Sequence, residues 1–352
     1  MLQLQDRTPF RSNLTAFPDP TGVQTLFITV KATFVLRPTL AVAEEQQALR
    51  LSDEYAEPPP PVNGERQPPI QPSLRVPGDI SLCRIGTDVI LNGTAYAPDG
   101  RPVDLLTAEL HVGQRRHVVQ VFGDRTWTGG RTGSAMTAPA PFVSMPLRYE
   151  RAFGGTHVLS DQEVLYEERN PIGVGFVGRR RRVELSGLPL PNIEDPTRRL
   201  QEPGDTPAPI GFGAIAPAWL PRRGFAGTYD EKWQHERAPL LPSDFDPRFL
   251  QVAHPALIQP THLGGGVPIE LRNLTPEGRL NFQLPRLALE AIVQIGDDLE
   301  RPPLRLEMML ILPDENRLEL VFRGALGCDK RLLRVRQVEI LLHSLELGGA
   351  AS

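Results

Sequence analysis

From Leu26 to Leu36, apolar side chains take every second position: Leu26, Ile28, Val30, Ala32, Phe34 and Leu36. Thr29, Lys31 and Thr33 fall between them. A period of two over this length predicts a half-buried β-strand. A second block, from Asp88 to about Phe122, repeats the pattern. Val89, Leu91, Ala95 and Ala97 alternate with Asn92, Thr94 and Tyr96, and Leu106, Ala108, Leu110 and Val112 form a further apolar face. Pro98-Asp-Gly100 between them combines a fixed φ with a glycine tolerant of positive φ, so the block reads as a meander of antiparallel strands. A third block alternates Leu304, Leu306, Met308, Leu310 and Leu312 with Arg305 and Glu307. It turns at Pro313-Asp-Glu-Asn316 and continues through Leu318, Leu320 and Phe322. The last segment, Val335 to Leu345, reads two ways. Val338, Ile340 and Leu342 fit a strand, while Val335, Val338, Leu342 and Leu345 fit a helix.

Residues 139–276 break both periods. Nineteen of the 37 prolines lie there, so no long element can persist. Twelve of the 22 aromatic residues lie there too, which argues for packed, ordered loops, because disordered chains are poor in aromatics. Thr228-Tyr-Asp-Glu231 matches a capping box and Pro239 closes the segment, predicting one short helix. Glu57 and Pro58–Pro61, followed by Pro68 and Pro69, read as a stiff extended connector. The expected fold is mainly β: antiparallel, sandwich-like sheets with a long ordered Pro/Gly/aromatic-rich loop region and few short helices. We expect one continuous domain over residues 1–352, with a β block at 1–138, packed loops at 139–276 and a second β block at 277–352.

Charge narrows the function classes. With 38 Lys+Arg against 42 Asp+Glu, the formal net charge is −4, too even for a nucleic-acid coat or an anionic-membrane binder. Only Lys31, Lys232 and Lys330 are lysines; every other basic residue is arginine. Asp6 and Arg7 precede any apolar run and no stretch approaches a bilayer span, so a cytoplasmic protein is expected. Cys83 and Cys328 are the only cysteines, outside metal-ligand spacing and expected as reduced thiols.

Motifs of catalysis are thin. Gly173-Val-Gly175-Phe-Val-Gly178 matches a dinucleotide fingerprint, but Asn170-Pro171 precedes it and arginines Arg179–Arg182, then prolines, follow, leaving no room for the helix that receives pyrophosphate. The four arginines read as a solvated loop, with a grip on phosphate or an acidic partner as the alternative. His235-Glu236 begins a zinc-protease pattern that Pro239 ends. No nucleophile elbow occurs. No catalytic residue, cofactor or metal is therefore expected. Glu150, flanked by Arg148 and Arg151, is expected to pair with arginine and support a turn at Gly154-Gly155. A competing hydrolase reading would use Glu150, Glu168, Glu194, Asp195 and Asp230, if they share a cleft. A carbohydrate-binding β module using tryptophan faces is a third reading.

An ordered set of phrases carries a family likeness. It runs through Val30-Lys-Ala-Thr-Phe34, Gly86-Thr-Asp-Val89, Ala95-Tyr-Ala-Pro98 and Val121-Phe-Gly-Asp-Arg125 with Trp127. It continues with Pro146-Leu-Arg-Tyr-Glu-Arg-Ala-Phe-Gly-Gly155, Asn170-Pro171, Leu190-Pro-Asn-Ile-Glu-Asp195, Gly227-Thr-Tyr-Asp230 with Trp233, and Pro239-Leu-Leu-Pro-Ser-Asp-Phe-Asp-Pro-Arg-Phe249. Over roughly residues 5 to 325, the chain resembles the bacterial domain-of-unknown-function family 2169, found with type VI secretion components. The resemblance implies a non-catalytic adaptor or chaperone that binds a type VI effector, at a PAAR-type tip domain or beside it, and helps load it onto the VgrG spike. No nucleic-acid or membrane partner is implied. Tyr, Trp and Arg supply many binding hot spots, so Arg148, Tyr149, Arg151, Phe153, Trp219, Tyr229 and Trp233 are the candidate contacts. Alternatively, a partner peptide adds to an exposed β edge through main-chain bonds, which would make side-chain changes nearly silent.

Overall fold

A computed structural model of the chain describes residues 2–57, 72–128, 133–160 and 162–348. The proline connector at 58–61, with Pro68 and Pro69, lies outside the described residues. Three larger sheets organise the rest. The central sheet runs in the order Arg11–Pro18, Gln24–Val35, Arg317–Gly327, Arg305–Leu312 and Asp88–Leu91, with Ala41–Val42 paired to the side of Gln24–Val35. Its pairings are antiparallel except the last, where Met308 to Ile311 run parallel to Asp88 to Leu91.

The expected half-buried strand is buried on both faces, from Thr25 to Phe34. Val30, Ala32 and Phe34 face Phe322, Leu320 and Leu318 across the ladder, forming the expected apolar side. On the other side, Thr29, Thr33, Glu319 and Arg323 are also buried, beneath segments 44–57 and 73–88. Burial of a polar face is tolerable only when its groups are paired. Here they are. Lys31 Nζ donates to Asp79 Oδ2 at 2.9 Å and to the Ala48 carbonyl at 3.1 Å, and lies 3.0 Å from Glu319 Oε2. Arg323 donates to Glu307 at 2.8 Å, to Ser81 Oγ at 2.7 Å, and to the carbonyls of Leu82 and Asp79. Cys83, half-buried beside this cluster, is a free thiol pushed up to about 12 by burial and by the Glu307 charge; Cys328 is also free.

The expected meander from Asp88 to Phe122 is divided instead. Asp88–Leu91 joins the central sheet, and Thr94–Tyr96 pairs with Ser144–Pro146. Leu105–Val112 and Arg115–Phe122 form a hairpin in a separate five-stranded antiparallel sheet, ordered Ile193–Glu194, Arg115–Phe122, Leu105–Val112, Pro268–Arg272 and Arg279–Gln283. The dividing point is Asn92-Gly93. Asn92 N–H still donates to Ile311 O, but Leu147 N–H takes Gly93 O, pulling the chain out of the central ladder.

The third sheet joins the two ends of the chain. Gln3–Asp6 runs parallel to Val335–Glu346, which pairs antiparallel with Arg286–Ile295 and, beyond it, Asp298–Glu300. The ambiguous C-terminal segment is thus a strand. Two register shifts explain its helical look: Gln294 and Ile295 face Gln337 and Val335, skipping Arg336, while Ala288 and Leu289 face Ser344 and Leu342, skipping His343. Each extra residue turns the next apolar side chain back to the same face after three positions rather than two. One continuous apolar cluster draws on all three sheets, and a smaller one gathers Trp127, Phe153, Leu185, Leu190 and Leu200.

Candidate partner-binding surface

The segment Arg148–Gly155 is fixed from several directions. Asn170, fully buried, donates through Nδ2 to the carbonyls of Tyr149 and Phe153 at 2.7 and 3.0 Å. Gly154 sits at φ 152°, and a Cβ there would lie 2.0 Å from Asn170 O, so only glycine allows this approach. The 3₁₀ turn Tyr149–Arg151 then sends Tyr149 inward.

Three of the candidate contacts are core residues. Tyr149 is 4% exposed and meets Trp219 edge-on, with ring centroids 5.8 Å apart; burial pushes its phenol upward. Trp219 is 1% exposed, and Phe153 lies in the smaller apolar cluster with Trp127. Their rings pack against other side chains and present no face to a partner in this conformation. The remaining four reach solvent. Arg148 is exposed and forms no ion pair among the described residues. Arg151 donates to Asn192 Oδ1 at 3.0 Å and approaches Asp124 at 3.4 Å. Tyr229, 54% exposed, stands against Trp233 at 4.7 Å between centroids, and Trp233 Nε1 donates to Leu240 O at 2.9 Å. Tyr229 lies just before the six-residue helix Glu231–Glu236, and Trp233 lies within it. Its cap is Asp230, which accepts from Trp233 N–H; Thr228, the residue expected there, donates to Asp244 instead.

The carboxylates of the hydrolase reading each hold a separate structural bond. Glu150 accepts from Ser73 Oγ at 2.6 Å rather than pairing with the flanking arginines. Glu168 pairs with Arg223, and Asp195 accepts from Thr197 N–H and Oγ1. Asp230 is the helix cap. Glu194 is buried against Arg125 and accepts Leu200 N–H at 2.9 Å. Among the described residues, no group of three or more His, Cys, Asp or Glu side chains could hold a metal ion.

A hairpin within the proline-rich region was not visible as such in the sequence. Thr156–Ser160 and Glu163–Tyr166 pair only with each other among the described residues, so each has one edge without a strand neighbour. The signal was present: His157-Val-Leu and Glu163-Val-Leu-Tyr166 are two short β-favouring runs around a polar break. Val158 is 50% exposed and Tyr166 42%, and Val183 and Leu159 are exposed as well. Glu167 N–H donates inward to Gly155 O. By the alternation of an antiparallel ladder, the main-chain groups of Val164 and Tyr166 therefore point outward. The Arg179–Arg182 run supports the other edge. Arg180 donates to the carbonyls of Thr156, Phe176 and Val177, Arg179 reaches Glu163 at 2.7 Å, Arg181 pairs with Glu184, and Arg182 is exposed with no ion pair among the described residues. Val174–Gly175 pairs parallel with Phe153–Gly154, and the helical element that follows is only the three-residue 3₁₀ turn Arg182–Glu184, so the G-x-G-x-x-G match opens no helix able to receive a pyrophosphate.

Among the described residues, no helix is long and apolar enough to cross a membrane. The model of a family described as "Uncharacterized protein conserved in bacteria (DUF2169)" matches residues 21–323. No curated protein and no solved structure matches the chain.

Proposed function

The chain belongs to this bacterial family, and from that premise we propose that it is a non-catalytic adaptor or chaperone for a type VI secretion effector. It binds the effector in the cytoplasm, at a PAAR-type tip domain or the adjacent region, and helps load it onto the VgrG spike. The observation that carries the reading is the hairpin Thr156–Ser160/Glu163–Tyr166, which offers a strand edge with no strand neighbour among the described residues beside exposed Val158 and Tyr166. An extended effector segment completes that edge through main-chain bonds to Val164 and Tyr166, and the side chains of Tyr229, Trp233, Arg148 and Arg151 add side-chain contacts.

Pull-down with the effector encoded nearby, with and without its tip region, tests the proposal. Val164→Pro removes an outward N–H and should weaken capture, while Val164→Ala should leave it nearly unchanged. Failure of the wild-type chain to retain any neighbouring effector, PAAR or VgrG protein would overturn the reading.

A further inference from the structure

Lys31 is the most enclosed basic group among the described residues, and it is a lysine in a chain whose other Lys and Arg residues are almost all arginine. Its Nζ lies 2.9 Å from Asp79 Oδ2 and 3.0 Å from Glu319 Oε2, and all three side chains are completely buried. An ion pair alone would be served at least as well by a guanidinium, which forks onto carboxylates and is easier to desolvate. A guanidinium cannot become a nucleophile; a buried amine can.

Two further features single out the cluster. Asp79 Oδ2 accepts from both Lys31 Nζ and Arg50 N–H, whereas Asp79 Oδ1 is buried with no hydrogen-bond partner among the described residues. One oxygen of the carboxylate is thus placed to leave, and the other to remain as a carbonyl. Arg50 forks onto both Glu319 oxygens, at 2.5 Å to the Oε2 that Lys31 approaches and 3.1 Å to Oε1, and Arg317 lies 2.9 Å from Oε1. Burial opposes its ionisation, but the Arg50 bond and the Lys31 and Arg50 charges outweigh this and hold it below the usual carboxylate range. A fixed, ionised carboxylate touching the amine is a proton acceptor in place.

We propose that Lys31 and Asp79 join in an intrachain isopeptide bond, with Glu319 relaying a proton. The Lys31 ammonium passes one proton to the Asp79 carboxylate, giving amine and acid. The Nζ lone pair attacks Cγ. Glu319 accepts a second proton from the nitrogen of the tetrahedral adduct and delivers it to the departing hydroxyl. The Nζ–Cγ bond forms, the Cγ–Oδ2 bond breaks, and water leaves. Ammonium and carboxylate become amide and water, with no oxidant or other reactant. The product removes two buried charges and turns the unpartnered carboxylate oxygen into a neutral amide carbonyl, a smaller desolvation penalty. It ties the strand Gln24–Val35 to the segment covering its polar face, 48 positions along the chain.

Intact-mass measurement of the purified, denatured full chain reads the bond directly. The expected mass is one water below that of the sequence, and proteolysis should yield a branched fragment holding both Lys31 and Asp79. K31R, folded by far-UV circular dichroism, should show the full mass. D79N should form the same bond with loss of ammonia instead of water. E319Q, folded, should cross-link more slowly by roughly a hundredfold or more. Full sequence mass in the folded wild-type chain after prolonged incubation overturns the proposal, as does a water loss mapped to any other residue. A fully cross-linked E319Q chain overturns the relay.

Discussion

Gln46 completes the backbone of Thr33 from both sides. Thr33 N–H donates to Gln46 Oε1 at 2.8 Å, and Gln46 Nε2 donates back to Thr33 O at 2.9 Å. One side chain thereby takes the Thr33 N–H just past the Ala41–Val42 pairing, whose last bond, Ala43 N–H to Thr33 O, Gln46 reinforces. Gln46→Leu leaves the buried Thr33 N–H without a partner, while Thr33 O keeps its bond from Ala43 N–H, and should destabilise the chain by about 1–3 kcal/mol, read from urea unfolding. A loss below roughly 0.5 kcal/mol would mean that water replaces the side chain there.

Location decides what an ion pair contributes. Arg323 and Glu307 are almost wholly buried, whereas Arg179 and Glu163 are both more than half exposed. Arg323→Met strands a buried carboxylate and several carbonyls, and should cost about 3–5 kcal/mol. Arg179→Ala should cost no more than about 1 kcal/mol, since solvent screens that pair. Equal effects in thermal unfolding would show that the polar face of the central sheet is more hydrated than its burial indicates.

Two histidines in tilted ring contact give a signed pH dependence. His117 and His254 lie 4.7 Å apart by ring centroids, with Phe212 edge-on to His117. Burial, with His117 adding repulsion, pushes His254 down to about 3; burial also lowers His117, against the pull of its Gly211 carbonyl bond. The bond from His254 to the Pro209 backbone, and the Asp195 charge acting on both rings, favour protonation without outweighing burial. Both rings are neutral when folded at pH 7, while the unfolded chain takes up protons below about 6.5. Stability should therefore fall as pH drops from about 6.5 toward 3. Depressed carboxylates such as Glu109, held at about 2 chiefly by its Arg116 bond, add their own loss only below about 4.5. His254→Asn, which keeps an acceptor for Ala256 N–H, should flatten the urea-midpoint slope between pH 7 and 5. An unchanged slope would remove the pair as its source.

Period-two alternation announced the apolar side of the Gln24–Val35 strand correctly, because Ile28, Val30, Ala32 and Phe34 meet the residues across the ladder without a bulge. It could not announce that Thr29, Lys31 and Thr33 are equally buried. Their cover is built from Gln46, Asp79 and Ser81, residues remote in sequence and polar, which look like surface until their bonds are known. At the C-terminus the failure was local. The extra residues Arg336 and His343 impose three-residue spacings that a helix shares. Aromatic content pointed to packed side chains within residues 139–276, where Tyr149, Phe153, Phe212 and Trp219 are buried. It could not separate Tyr149, Phe153 and Trp219, which hold the loops together, from Tyr229 and Trp233, which reach the surface, because composition carries no direction.

That division gives the sharpest test of the binding surface. Trp219→Ala opens a cavity in the main core and should cost roughly 3–5 kcal/mol. Any binding defect in that variant should track its unfolded fraction. Tyr229→Ala removes an exposed ring whose edge-on contact with Trp233 contributes about 0.5–1.5 kcal/mol. It should leave the fold intact yet weaken effector capture roughly tenfold, the scale of a modest hot spot. Thermal unfolding and a titration against the same effector, run on both variants, separate the two effects. Wild-type affinity in a folded Tyr229→Ala chain would exclude its aromatic side chain and leave the hairpin edge as the place to look.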